Sequence, residues 1–333
     1  MKQRAEAMEH NDIVTVTLNP TVDLSMEVDA LTAEGKNRAR MTSVRGGGGG
    51  INVARCIGRL GGSATAIHTS GREVGQRLDR LLDDEGLQHI GVGIGSDTRE
   101  AFVVADGATN RSYHIVPPGP QLSAGEEALL LAAIQKSSAN ARYLVVSGSA
   151  TPHLREDFCA QIIRNTSPAT RVILDIAGSQ LRTALREHTF LIRLDRREAA
   201  TLIGQEISSH ANARAANELL LTNKSCDHAV TTVGALGAVY SCHDAHYEIS
   251  APRLPHSFRS DACAGDSLVA AITYHLAAGA APLRACELGV AAAATTVQLP
   301  GTDVFESTSV EALIGQVRTR RIDRNSSFAP AAR

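Results

Sequence analysis

Two segments of this chain combine residue types able to do chemistry. The first is the run Gly46 to Gly50, followed by Ile51 and Asn52. Glycines let a ligand approach backbone amides closely, and the Asn52 amide can both donate and accept hydrogen bonds. The spacing fits neither G-x-x-x-x-G-K-[ST] nor G-x-G-x-x-G, which excludes a Walker-type ATPase; taken alone, the run fits a loop feeding a helix equally well. The second segment, SDACAGDSLVAAITYHLA, places Ala264, Gly265 and Asp266 at the start of a long apolar helix with no bulky side chain over its first amides. Free N–H groups and the helix dipole favour a phosphate there, and a carboxylate at that place can take a proton from a hydroxyl aligned on the phosphate. Read by itself, Asp266 serves equally well as a helix cap.

The elements that must hold these segments are legible as alternating apolar runs. Ile13 to Leu18 reads as a buried strand, and Val53, Cys56, Ile57 and Leu60 recur at helical spacing just after the glycines. Further strand-like runs follow at Ala64 to Thr69, Tyr143 to Ser147, Val172 to Ile176, Phe190 to Ile192 and Ala229 to Val233. Helix-length segments such as Glu126 to Lys136 and His153 to Asn165 separate most of them, and Ser267 to Ala278 and Leu283 to Gln298 follow. The alternation predicts an α/β fold with a mostly parallel, doubly wound sheet covered on both faces. Val22 to Arg45 and Glu100 to Val116, the latter with its turn GATN, carry strand pattern instead and predict a small separate β-sheet lid. One domain over 12–318 is expected, with lid segments near 22–45 and 99–117 and flexible termini at 1–11 and 319–333.

Composition narrows the function classes. Thirty-three Lys plus Arg against 35 Asp plus Glu give a net charge of -2, without a block of like charge, so no nucleic-acid partner is expected. Aromatic residues make up 3% and Trp is absent, which disfavours stacking platforms and leaves the core to Ala, Val, Leu and Ile. The six cysteines lie far apart with no C-x-x-C, so neither a zinc nor a redox pair is signalled. Neither an apolar leader nor a stretch able to span a membrane is present, and a cytoplasmic protein with no membrane partner is expected.

Together the two segments resemble the PfkB-type carbohydrate kinases of the ribokinase-like fold, from about Ile13 to Gly301. The family's L-N-P-x-x-D stands as Leu18, Asn19, Pro20 and Asp23; its glycine signature as GGGGINVAR; its second signature as AGDS; and TVGALGA resembles its nucleotide-binding stretch. Within the family the chain is most similar to the hexose-phosphate kinases, above all the minor, PfkB-type 6-phosphofructokinases. EGKNR matches the E-G-K-x-R of that branch, and DTRE places Arg99 at its phosphate-binding arginine. Gly49 stands where 1-phosphofructokinases and tagatose-6-phosphate kinases usually carry Lys, which favours a phosphate on the 6-position.

The resemblance implies ATP-dependent phosphorylation of a sugar phosphate, from fructose 6-phosphate to fructose 1,6-bisphosphate. Alternatives are tagatose-6-phosphate kinase or 1-phosphofructokinase activity, or a weakened fold that senses sugar phosphate or nucleotide without turnover. It implies Asp266 as general base, and Asp23, Gly48, Gly49, Asn52 and Ser149 around the sugar. Lys36, Arg38 and Arg99 would clamp the sugar phosphate. ATP would lie along Arg193, Thr232, Gly234, Gly237, Cys263, Ala264 and Gly265, with Mg²⁺ near Asp195 and Glu198. A homodimer through the lid is implied as well. Three departures stand out: Asp195 replaces the Asn of N-x-x-E, Cys263 the first glycine of G-A-G-D, and GSATPH the usual G-S-L-P-P-G. The dipole at a helix N-terminus lowers a cysteine's pKa, which would make Cys263 an oxidant-sensitive brake; the alternative is a small residue tolerated in place of Gly or Ala, buried and unreactive.

Overall fold

The computed structural model describes residues 12–109, 111–254 and 260–324. Along the chain the first half runs β1 (Ile13–Thr17), β2 (Thr21–Val28), β3 (Arg40–Gly47), α1 (Gly49–Arg59), β4 (Thr65–Gly71), α2 (Arg72–Asp84), β5 (His89–Ile94), β6 (Arg99–Asp106), β7 (Arg111–Ile115), α3 (Ala124–Ser138) and β8 (Tyr143–Gly148). The second half runs α4 (Phe158–Asn165), β9 (Arg171–Ile176), α5 (Gly178–Ala184), β10 (Thr189–Leu194), α6 (Arg196–Ile203), α7 (His210–Thr222), β11 (Cys226–Thr232), β12 (Gly237–Ser241), β13 (Ala245–Ser250), α8 (Ala264–Ala277), α9 (Pro282–Thr296), α10 (Ser307–Ile314) and β14 (Arg318–Asp323). Ten strands form the main sheet in the order β14-β13-β12-β11-β10-β9-β8-β1-β4-β5, and β3-β2-β6-β7 form a second sheet.

Strands from β5 to β11 across the main sheet pair in parallel, whereas β12, β13 and β14 extend it antiparallel. The central parallel strands, β1, β8, β9 and β10, are mostly apolar on both faces, as a doubly covered sheet requires, whereas β5 at the edge is largely exposed. Within β8, Tyr143 and Val145 face the core beneath α1, α2, α8 and α9, while Leu144 and Val146 face the one beneath α3, α4 and α7. The expected doubly wound sheet and separate lid are thus both present.

Two boundaries differ from expectation. The helix anticipated from His153 begins at Phe158, because His153 takes a left-handed φ of 58° and ends any helical run there. The flexible tail expected from 319 is corrected for 319–324: β14 pairs with β13 in full register, and Arg324 donates to the Glu218 carboxylate at 2.6 and 2.8 Å. That strand, RTRRID, has no apolar face, and its pairing comes from backbone bonds and cross-strand ions such as Arg320 with Glu248. The expected flexible segments 1–11 and 325–333, and Asn110 of the GATN turn, lie outside the described residues.

The order of strands creates the site. From β1 the chain moves outward to β4 and β5, then returns to β8 on the other side of β1 and proceeds to β11. Between β1 and β8 the direction of winding therefore reverses, and ligands of open α/β sheets bind outside the strand ends at such a point. The N-terminus of α1 is pressed into this crevice. A Cβ on Gly49 would lie 2.5 Å from the Ser147 carbonyl carbon of β8, and one on Gly50 would lie 2.6 Å from the Val16 carbonyl carbon of β1. Gly58 in the same helix has nothing within 4 Å of its would-be Cβ. Gly50→Ala should therefore lower stability by roughly 1–3 kcal/mol in denaturant titration, whereas Gly58→Ala should raise it by up to about 1 kcal/mol. Equal effects from the two substitutions would overturn the packing role of the glycine run.

Candidate active site

Asp266 stands in the first turn of α8, which opens at Cys263 in a left-handed conformation (φ 59°) with no side chain capping its amides. The α1 helix meets it there. Asn52 Nδ2 donates to Asp266 Oδ2 at 2.8 Å, and Arg55 Nη1 donates to Asn52 Oδ1 at 2.6 Å. Arg55 is held in turn by Glu85 at 2.7 Å and by the Gly46 carbonyl. On the other side of Asp266 the Ser147 hydroxyl lies 3.5 Å from Oδ1 and 3.0 Å from Asp175 Oδ2. Arg193 donates to Asp175 at 2.9 Å and to the Thr232 hydroxyl at 3.0 Å. One polar chain therefore runs across the ends of β8, β9, β10 and β11 and through α8 into α1.

The charge balance along this chain sets the chemistry. Burial and the neighbouring Asp175 carboxylate push the Asp266 pKa up to about 7, against the opposing pull of Asn52, Arg193 and Ser147. Glu198, in the first turn of α6, is likewise pushed up to about 7, by burial first and Asp175 second. Arg193 stays charged: burial opposes its charge, but Asp175 outweighs that cost. A base poised near neutral pH beside open helix amides is suited to deprotonating a hydroxyl while those amides hold an anion.

Asp23 lies half-buried on β2 opposite Arg45 and against Gly47, where a Cβ would collide with its carboxylate. Burial raises its pKa, while the Thr21 hydroxyl and the charges of Arg55 and Arg99 oppose the rise. Arg99 donates to the carbonyls of Pro117 and Asn19 at 3.0 and 2.9 Å, and its buried Nε has no partner. Two of its five N–H groups are thus committed to shaping the loop, and three stay available to an anion. Asn19 fastens that loop from the other side, through the Pro118 and Ala150 carbonyls at 2.9 and 3.2 Å. Ser149 is exposed just beyond β8, after Gly148.

Other expected residues take different places. Lys36 and Arg38 are exposed in the connection from β2 to β3. Since Asp23 pairs with Arg45 and Glu27 with Arg40, they lie past the far end of the lid, roughly 20 Å along the strand from Asp23. Gly265 lets the Arg193 guanidinium lie against α8: a Cβ there would be 2.9 Å from Nη1. Gly234 and Gly237 bracket the short turn that leads from β11 into β12, near Thr232.

The three departures each acquire a structural reason. Asp195 caps α6, accepting from the Arg197 and Glu198 amides at 2.7 and 2.8 Å, while Glu198 accepts from the Asp195 amide at 2.7 Å. Cys263 and His153 each occupy the left-handed conformation that a glycine would take without strain. For Cys263 the structure goes against the lowered pKa and supports the unreactive alternative: burial, with Asp266 nearby, raises it well above the ordinary thiol value, and Sγ faces the Thr302 carbonyl at 3.8 Å. The helix dipole is outweighed by lost hydration. Sequence reasoning missed Asp175 and Ser147, whose only signal was a single polar residue at the end of an otherwise apolar strand.

A metal fits the donor set in one manner. Asp195 and Glu198 each keep one carboxylate oxygen outside the cap, and burial, then the Asp175 charge, raises the Glu198 pKa to about 7. Hard cations such as Mg²⁺ take oxygen ligands, and Mg²⁺ is commonly held by one or two carboxylates plus substrate phosphates.

A family model described as pfkB family carbohydrate kinase matches residues 13–308. The ATP-dependent 6-phosphofructokinase isozyme 2 of Mycobacterium tuberculosis is 33% identical over 302 residues, 90% of this chain and 88% of that protein. The Escherichia coli protein of the same description is 32% identical over 292 residues, 87% and 94% of the two chains. Phosphofructokinase-2 from Escherichia coli, solved with potassium, superposes with a TM-score of 0.86 at 30% identity, covering 91% of this chain and 98% of that one. A possible 1-phosphofructokinase from Thermotoga maritima shares the fold at a TM-score of 0.83 and 20% identity, over 93% of this chain and 99% of that one. With the glycine-loaded start of α1, the uncapped start of α8 and Asp266 between them, and with this similarity along nearly its whole length, the chain belongs to the pfkB family of carbohydrate kinases.

Proposed function

We propose that the chain transfers the γ-phosphoryl group of ATP to the 1-hydroxyl of fructose 6-phosphate, giving fructose 1,6-bisphosphate and ADP. The observation that carries this reading is Asp266, half-buried with its pKa pushed up to about 7 at the open start of α8. The 6-phosphofructokinase descriptions of the relatives support the choice of substrate. Asp266 accepts the proton of the sugar hydroxyl, whose oxygen forms the new bond to phosphorus as the bond to the ADP oxygen breaks. The amides of Ala264 and Gly265 hold the charge that develops on the transferring group. Asp23 and Asn52 hold the sugar hydroxyls, and Arg99 meets the sugar phosphate with its remaining N–H groups. Asp195 and Glu198 would hold Mg²⁺, which neutralises phosphate charge when bound. A panel of ketose phosphates with MgATP tests the substrate; preference for tagatose 6-phosphate or fructose 1-phosphate would overturn it.

The lid supports a dimer. Its surface exposes Met41, Tyr113, Ile115 and Val116, an apolar share unusual for a free sheet. Lys36 and Arg38, out of reach of their own site, would close the partner's. Among the described residues no helix is long and apolar enough to cross a membrane; likeness to the ATP-dependent 6-phosphofructokinases supports a cytoplasmic enzyme.

Asp266→Asn should lower turnover by roughly 10²- to 10⁴-fold. In the wild type, kcat/KM should fall as pH drops below about 7, where Asp266 takes up its proton, and the variant should lose that limb. The same group sets a stability trend of opposite sense. Because its folded pKa is raised, stability is lost as pH rises from the ordinary carboxylate range through about 7. The variant's melting temperature should therefore exceed that of the wild type above neutral pH, by a margin that narrows toward acid. Turnover retained in the variant would remove Asp266 from the role of base.

Mixing tests the shared site. Asp266→Asn dimers and dimers carrying Lys36→Ala with Arg38→Ala should each be nearly inactive. After subunit exchange the mixture should recover about a quarter of wild-type activity, since about half of the dimers are heterodimers and one of the two sites in each combines an intact base with an intact lid. No recovery after proven subunit exchange would place both cations in their own protomer's site.

A further inference from the structure

The face of β4 and β5 covered by α2 carries a second group of ligating side chains, none of which belongs to the polar chain through Asp266. Ala66 pairs with His89 and His68 with Gly91, so the two histidines are diagonal neighbours on one face of the strand pair. Asp79 and Asp83, four residues apart on α2, share a helix face. His68 is fully buried, and the His89 side chain is 12% exposed.

The proton positions follow from the outer partners. His68 Nδ1 lies 3.0 Å from the Thr69 carbonyl oxygen, which can only accept, so Nδ1 carries the hydrogen. His89 Nε2 lies 3.1 Å from Asp83 Oδ1, also an acceptor, so Nε2 carries it there. In the neutral rings the remaining nitrogens, His68 Nε2 and His89 Nδ1, are both lone-pair donors to an electrophile, and they face each other at 3.1 Å. Asp79 Oδ1 lies 3.7 Å from His68 Nε2 and is buried without a hydrogen-bond donor. The Ser70 hydroxyl donates to Asp79 Oδ2 at 2.7 Å and so turns Oδ1 toward the rings. Three ligand atoms thus converge within 4.8 Å of one another, and they repel unless positive charge lies between them.

We propose that His68, Asp79 and His89 form a binding site for a divalent transition-metal ion of the zinc class, with water completing a four-coordinate shell. The separations of 3.1 and 3.7 Å bracket the roughly 3.3 Å between ligands of a tetrahedral ion bound at about 2.0–2.1 Å. Two imidazoles with one carboxylate suit zinc, nickel or copper rather than magnesium or calcium. The Thr69 carbonyl, Asp83 and Ser70 are the outer partners that orient such ligands. Gly91 leaves room beside the carboxylate, since a Cβ there would lie 3.1 Å from Asp79 Oδ1. The partly exposed Asp79 and the exposed Asp83 give an ion its way in. As β5 ends the main sheet, the ion would tie that strand and α2 to β4.

The test is titration of the untagged, chelator-stripped full chain with Co²⁺ in excess Mg²⁺, read by visible absorption. One equivalent should give the intense band of four-coordinate cobalt without a thiolate charge-transfer band, and Zn²⁺ should displace it and raise the melting temperature. His89→Gln should weaken binding at least about 100-fold and Asp83→Ala about 10- to 100-fold, with kinase turnover near wild type in both. Absence of the band in the wild type, a band unchanged in both variants, or thiolate ligation would each overturn the proposal. So would a proton shared between the two rings in a wild type that binds no metal. Should His89→Gln fail to fold, the graded loss in Asp83→Ala decides.

Discussion

The approach of α1 to the ends of β1 and β8 is the constraint on which the rest of the site depends. Backbone touches backbone there, and any side chain at Gly49 or Gly50 would force the helix outward. Asn52 sits two residues further along α1, so its amide reaches Asp266 only because the helix start lies that deep. Displacing a catalytic hydrogen bond by an ångström is enough to degrade catalysis substantially. The glycines therefore contribute through packing before any ligand arrives.

Upon that geometry the protein imposes a charge conflict. Asp266, Asp175 and Glu198 crowd the strand ends, and Arg193 is the cation set among them, bonded to Asp175 and Thr232. Burial first, and this crowding second, push the pKa of two of the acids up to about 7. The arrangement costs stability and gives Asp266 a proton affinity matched to physiological pH, the exchange expected of the base proposed above. Substrate cations and phosphates would meet an environment already tuned to them.

Much of this was legible in local pattern. The parallel strands announce themselves because burial on both faces makes them continuously apolar, and the two signature segments because glycine and a lone acid are unusual at helix starts. The lid was legible as alternation in the wrong place for a crossover helix. What escaped depends on partners distant in sequence. β14 reads as a charged tail, since its pairing energy lies in backbone bonds to β13. Asp175 reads as an interruption of RVILDI until β8 and β10 bring Ser147 and Arg193 beside it. The dipole argument for Cys263 was sound locally and failed because burial beside Asp266 is a tertiary fact.

Asn52 and Asp266 are separated by 214 positions, and α1 packs its inner face on α8. A ribosome delivers them far apart in time. When β1, the lid and α1 have emerged, the helix that must cover α1 is still untranslated, and Val53, Ile57 and their neighbours face water or a chaperone. Such late closure slows folding, since distant contacts reward the chain only after the intervening loop entropy has been overcome. The emerging N-terminal half is thus an aggregation-prone species by construction, and the Asp266 carboxylate arrives together with the helix that ends this exposure.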